Sequence, residues 1–241
     1  MSKASLSLVI PCYNESGNIP LIFNKLEELL TQLPEIEILL VNNGSKDNSK
    51  DVFEQELSKT PFKQIRVVDV AVNQGYGFGI LSGLKEATAP VLSWTHADMQ
   101  TDPMDVLAAF RKYEKANNKM LLVKGTRLKR NFADAFFTWG MQVLASVLLA
   151  VPLHDINAQP KLFSREFYDK FMKQNAPLDF SLDLYALYCA KKYGAIETVP
   201  VYFNKRIHGE AKGGGSFKTK IKLMKRTWAY MLQLSKELKQ K

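Results

Sequence analysis

The most specific chemical signal in the sequence is Thr95-His96-Ala97-Asp98-Met99-Gln100, which follows the short apolar run Val91 to Trp94. Side chains two apart on an extended chain point the same way, so His96 and Asp98 can face one ligand. A carboxylate, an imidazole and the amide oxygen of Gln100 can share a divalent ion that also binds a diphosphate. The same residues admit a plainer reading, in which Asp98 caps a helix near Pro103 and His96 is a satisfied core residue.

Three further polar loops follow apolar runs. Pro11-Cys12-Tyr13-Asn14-Glu15 offers an aromatic ring to a base and a carboxylate to its N–H donors. Asn42-Asn43-Gly44-Ser45-Lys46-Asp47 can hydrogen-bond a base or ribose, and it also reads simply as a turn with a helix cap. In Asn73-Gln74-Gly75-Tyr76-Gly77-Phe78-Gly79 the glycines fall at alternate positions, the wrong register for GxGxxG; no GxxxxGK[ST] occurs either. A dinucleotide-dependent dehydrogenase and a Walker-type kinase are therefore disfavoured. Those glycines fit close packing of a helix on a sheet.

The elements that must position these loops follow from periodicity. Apolar runs at Leu6–Ile10, Glu37–Val41, Ile65–Ala71, Val91–Trp94 and Met120–Lys124 read as strands. Helical periods fill Asn18–Leu33, Asp47–Leu57, Tyr76–Ala87 and Met104–Ala116, with Asn18 and Asp47 as capping-type residues. The fold class is α/β, a mostly parallel sheet with helices on both faces. Ligands of such sheets bind beyond the carboxyl ends of the strands, so the four loops should converge on one crevice. Further on, strands are expected at Lys161–Phe163 and Thr198–Phe203, helices at Arg165–Lys173 and Leu182–Tyr193, and a mobile loop at Gly209–Ser216. The last segment reads as a basic amphipathic helix, with Ile221, Met224, Trp228, Met231, Leu232 and Leu238 on its apolar face and Lys218, Lys222, Lys225 and Arg226 around it.

Composition sets the outer bounds. With 46% hydrophobic and 24% charged residues in 241, the chain is an ordinary globular protein able to bury a core. Cys12 and Cys189 lie far apart with no metal-ligand spacing, so a reducing, cytoplasmic setting is expected. No signal peptide is expected, because the first apolar run stops at Pro11. The net charge of +9 is confined to the C-terminal end: residues 205–241 carry 11 Lys+Arg against 2 Asp+Glu, and the remainder balances. A neutral body with a basic tail suggests contact with a polyanion, an acidic membrane surface or nucleic acid, or else a merely solvated helix. Aromatics do not interleave with the basic residues as a stacking platform for nucleic acid requires. The apolar stretch Phe136–Leu153 carries a polar stripe of Asp134, Thr138, Gln142 and Ser146, which fits a packed or surface-lying helix better than a membrane span.

Together these residues resemble the inverting family 2 glycosyltransferases, in the branch similar to dolichyl-phosphate mannosyltransferase. The resemblance runs through Val9-Ile10-Pro11-Cys12-Tyr13-Asn14-Glu15, the Asn42 to Asp47 turn, Asn73 to Gly77 and Ala97-Asp98-Met99-Gln100. It continues through Gly125-Thr126-Arg127, Asp155 with Lys161, Phe180 to Asp183, and Arg206 to Lys212, covering about residues 5–230. It implies a GT-A fold over residues 1–216, with a nucleotide-binding half (1–125) and an acceptor half (126–216), followed by the basic helix at 217–241. It also implies a nucleotide-diphosphate sugar donor and Mg²⁺ or Mn²⁺ on the diphosphate. Pro11, Tyr13, Glu15 and Asn43 would surround the base, next to Ala97 and Asp98. Asp98 and Gln100, with His96, would hold the metal. Arg127, Lys161, Arg206 and Lys212 would attend the donor and acceptor phosphates.

The chain departs from the family pattern in four places. His96 replaces the first carboxylate of Asp-x-Asp, which favours Mn²⁺ over Mg²⁺. Asn43 replaces a base-reading aspartate, Trp139 a phosphate-binding arginine, and Asn157 to Pro160 a Ser-Gly-Phe-like turn. A phosphate acceptor needs no general base, whereas a sugar hydroxyl does, with Asp183 or Asp155 as the candidate. The expected function is inverting sugar transfer to a polyprenyl phosphate or lipid-linked glycan by a peripherally membrane-bound, cytoplasmic enzyme. The alternatives are a nucleotidyltransferase, for which the loop after Ile10 lacks a glycine-rich basic character, and a non-catalytic nucleotide- or nucleic-acid-binding protein.

Overall fold

The computed structural model describes residues 4–128, 146, 148–149, 151–204, 206–208, 221, 225 and 228–236. Lys212, Trp139, the Gly209–Ser216 loop and most of the Phe136–Leu153 stretch lie outside the described residues.

Strand and helix alternate through the first half: β1 (Leu6–Cys12), α1 (Ile19–Gln32), β2 (Ile36–Asn43), α2 (Ser49–Lys59), β3 (Ile65–Val70), α3 (Tyr76–Glu86), β4 (Val91–Trp94), α4 (Asp105–Ala116) and β5 (Leu121–Leu128). After residue 160 come β6 (Lys161–Ser164), the short helix α5 (Arg165–Phe167), which runs into a wider helical turn at Tyr168–Met172, then α6 (Leu182–Tyr193) and β7 (Ala195–Tyr202). The seven strands form one sheet in the order β3-β2-β1-β4-β6-β5-β7. All neighbours are parallel except β6, which runs antiparallel to both β4 and β5. That direction is not visible in its four residues, which are buried on both faces and carry no alternation to read.

Alternate residues of β1 feed the two halves of the core. Leu6, Leu8 and Ile10 face a layer with α1 and α4, through Phe23, Leu26 and Phe110; Val9 faces the other, with Ile80 and Leu84 of α3 and Leu184 and Leu187 of α6. Met231 and Leu234, within the helical residues 228–236, join this second layer, and Ser235 Oγ donates to the Leu148 carbonyl at 3.1 Å. Met231 of the expected apolar face is thus core, whereas Ile221, Trp228 and Leu232 remain exposed at 37–39%. Among the described residues no helix is long and apolar enough to cross a membrane.

The helix starts differ in detail from expectation. Asn18 precedes α1 but makes no side-chain cap; its Nδ2 turns to Glu15 instead. Asp47 sits one residue before the actual cap position of α2, yet its Oδ1 still accepts from Ser49 N at 3.1 Å.

The glycines of α3 let the helix lie directly on the sheet. A Cβ at Gly83 would overlap Val9 and come within 2.8 Å of Val41 Cγ2, and neither β-branched side chain can swing aside. Gly83→Ala should therefore lower the unfolding free energy by about 1–2 kcal/mol, the overpacking cost exceeding the roughly 1 kcal/mol gain in helix propensity. Equilibrium denaturation measures this, and a stabilised variant would contradict the packing described.

Candidate active site

The loops after β1, β2 and β4 meet at one sheet edge, and hydrogen bonds lace the first two together. Asn14 N donates to Ser45 Oγ at 3.0 Å, Lys46 N to Asn14 Oδ1 at 2.7 Å, and Glu15 N to Ser49 Oγ at 3.2 Å. The Asn42–Asp47 turn therefore holds the Pro11–Glu15 loop in place. Asn43 is buried, with Nδ2 donating to the Gly75 carbonyl at 3.0 Å and Oδ1 lacking a protein partner. Gly79 permits this contact, since a Cβ there would come within 2.6 Å of Asn43 Nδ2.

Asp98 lies at the centre of this edge. Its Oδ1 accepts from Gln100 N at 3.1 Å, and its Oδ2 accepts from Arg206 Nη2 at 2.8 Å. Arg206 follows β7 and also approaches Glu15 Oε1, at 3.7 Å from Nη1. One guanidinium thus joins the loop after β1 to the loop after β4. Gln100 is fixed by Asn204, donating Nε2 to its carbonyl at 3.3 Å and accepting from its N at 2.7 Å. Ala97, between the two polar residues, is buried in the core.

The antiparallel strand supplies the floor. Because β6 runs against β4, its first residue, Lys161, pairs with Trp94 at the carboxyl end of β4. The Lys161 side chain is wholly buried and forms an ion pair with Asp183, in the first turn of α6. Gln159 Nε2 donates to the same carboxylate at 3.0 Å, and lies 3.3 Å from Tyr76 Oη and 3.2 Å from His96 Nε2. Tyr76 Oη and His96 Nε2 are 2.8 Å apart. Phe180 stacks on the Tyr76 ring, with centroids 4.9 Å apart and planes 6° from parallel. Burial pulls the Lys161 ammonium and the His96 imidazole below their ordinary pKa values, and pushes the Tyr76 phenol well above its own.

A second cation stands at the end of β5. Arg127 donates from Nε to Asp155 Oδ1 and from its backbone N to Oδ2, both at 2.8 Å, and its Nη2 also reaches Oδ1. Burial alone would raise the Asp155 carboxyl; the hydrogen bonds and charge of Arg127 outweigh it and hold the group below the usual carboxylate range. The neighbouring Lys124 ammonium is buried too, bonding the Asp155 carbonyl at 3.0 Å. Gly125 admits the turn that carries Gln159, whose carbonyl would collide with any Cβ there.

The structure therefore gathers Pro11, Tyr13, Glu15, Asn43, Ala97, Asp98, Gln100 and Arg206 along one edge, and Asp155 with Arg127 beside it. Lys161 and Asp183 lie beneath, paired to each other, with His96 turned toward Tyr76 and Gln159. Tyr76 and Gln159 were not singled out as site residues from the sequence. Their roles come from contacts across 83 and 63 positions, which no local pattern signals. Among the described residues no three His, Cys, Asp or Glu side chains cluster as a metal site. A single carboxylate still suits Mg²⁺ or Mn²⁺ when a diphosphate and water complete the shell, and a guanidinium already sits against the Asp98 oxygen where a cation would.

A sheet of this order, with an acidic loop after β4, is the GT-A glycosyltransferase fold. Solved structures share it: glucosyl-3-phosphoglycerate synthase from Mycobacterium tuberculosis in complex with UDP superposes with a TM-score of 0.74 at 16% identity, covering 96% of this chain and 80% of that one. Its complex with Mn²⁺, UDP and phosphoglyceric acid gives 0.74 at 16%, covering 96% and 78%. The model of glycosyl transferase family 2 matches residues 7–176, and the chain belongs to that family. Similar sequences include a dolichyl-phosphate beta-glucosyltransferase of Trichomonas vaginalis, 26% identical over 91% of this chain and 72% of its own length. Another, from Dictyostelium discoideum, is 24% identical over 78% of this chain and 62% of its own length. An uncharacterised glycosyltransferase of Bacillus subtilis, YkcC, is 28% identical over 52% of this chain and 39% of its own length.

Two stability measurements probe the buried charges. Lys161→Met leaves the Asp183 carboxylate buried and unpaired, and should cost about 3–5 kcal/mol, whereas Lys161→Met with Asp183→Leu should recover most of it; equal losses in single and double variants would show that the pair is not coupled. Burial pushes Lys124 down to about 8 from 10.5, so between those pH values the unfolded chain binds more protons and stability rises with pH. Lys124→Met lacks this contribution, so the wild type should gain up to about 3 kcal/mol on the variant between pH 7 and 10.5. A pH-independent difference would contradict the burial of that charge.

Proposed function

We propose that this family 2 glycosyltransferase moves a sugar, with inversion, from a nucleotide-diphosphate sugar to the phosphate of a polyprenyl phosphate. One observation carries the choice of acceptor. Asp183 and Asp155, the two carboxylates available as general bases, are each bound to a cation, Lys161 and Arg127. Arg127 holds the Asp155 carboxyl below the usual carboxylate range, and Lys161 and Gln159 both already occupy Asp183 Oδ1, so the nucleophile should arrive already anionic. The dolichyl phosphate in the names of the Trichomonas and Dictyostelium relatives agrees with this chemistry.

In this reading Pro11, Tyr13, Glu15 and Asn43 surround the base, and the unpartnered Asn43 Oδ1 accepts from it. Asp98 and Gln100 would hold Mg²⁺ or Mn²⁺, which when bound would offset the negative charge of the diphosphate. Arg206 would then exchange its Asp98 partner for a diphosphate oxygen. Arg127, oriented by Asp155, faces the acceptor phosphate. An acceptor phosphate oxygen bonds to the anomeric carbon as the bond from that carbon to the diphosphate breaks. The electron pair leaves on the nucleoside diphosphate, and no proton need be removed. Positioning and cation stabilisation supply the rate. The exposed Ile221, Trp228 and Leu232, at 37–39% exposure beside Lys225, support attachment to an acidic membrane surface.

Thermal unfolding with UDP, GDP, CDP or dTDP tests the donor site. One nucleotide should raise the midpoint in the presence of Mn²⁺, with about 2.7 kcal/mol of stabilisation at a hundredfold excess over Kd, and Asp98→Ala should abolish the rise. In the same preparation polyprenyl phosphate should accept sugar and polyprenol should not. An unchanged response in Asp98→Ala, or transfer to the alcohol, would refute the reading.

A further inference from the structure

Lys124 of β5 and Lys161 of β6 are partners in the antiparallel register, so their side chains leave the same face of the sheet side by side. Both are buried, at 3% and 0% exposure. Like charges opposed across two strands destabilise a sheet, and burial adds to that cost. Asp183 compensates Lys161, and the Asp155 carboxylate is held by Arg127. Lys124 forms no ion pair among the described residues. Its Nζ donates to the Gly125 carbonyl at 2.8 Å and to the Asp155 carbonyl at 3.0 Å, and its third N–H finds no partner among them. Three cations of the described residues thus share two carboxylates at this end of the sheet. Burial first, and then the Lys161 charge, pull the Lys124 ammonium down to about 8, so it still carries its proton at neutral pH.

We propose that Lys124 is a binding residue for the acceptor phosphate, its unused N–H donating to a phosphate oxygen and its charge balanced by that group. Asp155 joins it to Arg127, since the carbonyl takes Lys124 and the carboxylate takes Arg127. Lys124 lies three residues deeper in β5 than Arg127, so a phosphate entering past the end of the strand meets Arg127 first and Lys124 behind it. A phosphate monoester brings the counter-charge that the described residues omit, and a neutral alcohol brings none. A buried cation kept without its own carboxylate breaks the rule that governs packing positions, and such breaks belong to binding sites. This inference rests on the polyprenyl phosphate reading above and adds one more group to that same site.

Titration calorimetry on the whole chain, with farnesyl phosphate, farnesol, inorganic phosphate, and separately UDP with Mn²⁺, tests the assignment. Lys124→Met removes the charge and the donors, whereas Lys124→Gln keeps an N–H for the two carbonyls and removes the charge. Both variants should bind farnesyl phosphate about tenfold or more weakly and UDP with Mn²⁺ within about twofold of the wild type, while the thermal midpoint of Lys124→Met at neutral pH should not fall. Farnesol should bind all three proteins alike. Unweakened farnesyl phosphate binding in both variants would overturn the inference and leave the acceptor reading standing. Lost affinity for UDP in its place would assign Lys124 to the donor and overturn the inference likewise. If the wild type binds no farnesyl phosphate, the acceptor reading fails and inorganic phosphate decides: binding that Lys124→Gln loses sustains an anion site at this lysine, and equal binding, or none, ends it.

Discussion

A buried cation and carboxylate, Lys161 and Asp183, anchor everything else at the carboxyl edge of the sheet. Neither can tolerate the loss of the other, because an unpaired charge at that depth costs several kcal/mol. Because β6 runs opposite to its neighbours, its first residue, Lys161, lies beneath the end of β4, where it meets Asp183. From this fixed point the arrangement spreads outward through Gln159 to Tyr76 and His96. The His96 ring is thereby tied to the buried pair through Gln159 and Tyr76.

Above this floor the charges are arranged for exchange. Arg206 lies between Asp98 and Glu15, the acidic side chains of two different loops, and keeps the crevice electrically balanced. In the proposed donor complex a metal would take the Asp98 carboxylate, and the guanidinium would be free to meet a phosphate oxygen. Arg127 differs, since its Nε and Nη2 both bond Asp155, whose other oxygen also accepts from the Arg127 backbone N–H, which leaves the guanidinium less free to move.

The alternation of strand and helix was legible because each buried strand is a short apolar run, such as Val91–Trp94, and each helix has a stripe of apolar residues. The crevice was legible for the same reason, since strand ends lead to polar loops on one edge. What escaped is what depends on contacts between distant segments. The direction of β6 is set by its neighbours, and four residues buried on both sides have no periodicity to reveal it. Asn18 resembled a helix cap by type and place, yet Glu15 offers its amide a charged partner. Asp183 suits a general base by residue type and place, and nothing near it in sequence announces Lys161, 22 residues away. The C-terminal helix looked uniformly amphipathic, but Met231 and Leu234 find the core through helix packing that no local pattern encodes.

The decisive measurement is anomalous scattering from a crystal grown with Mn²⁺ and UDP. The manganese peak should lie within bonding distance of an Asp98 oxygen and of the diphosphate, with the Arg206 guanidinium moved from that carboxylate onto a phosphate. If Arg206 still grips Asp98 while the metal and nucleotide bind elsewhere, Asp98 is only a structural partner, and the catalytic role assigned to this edge is wrong.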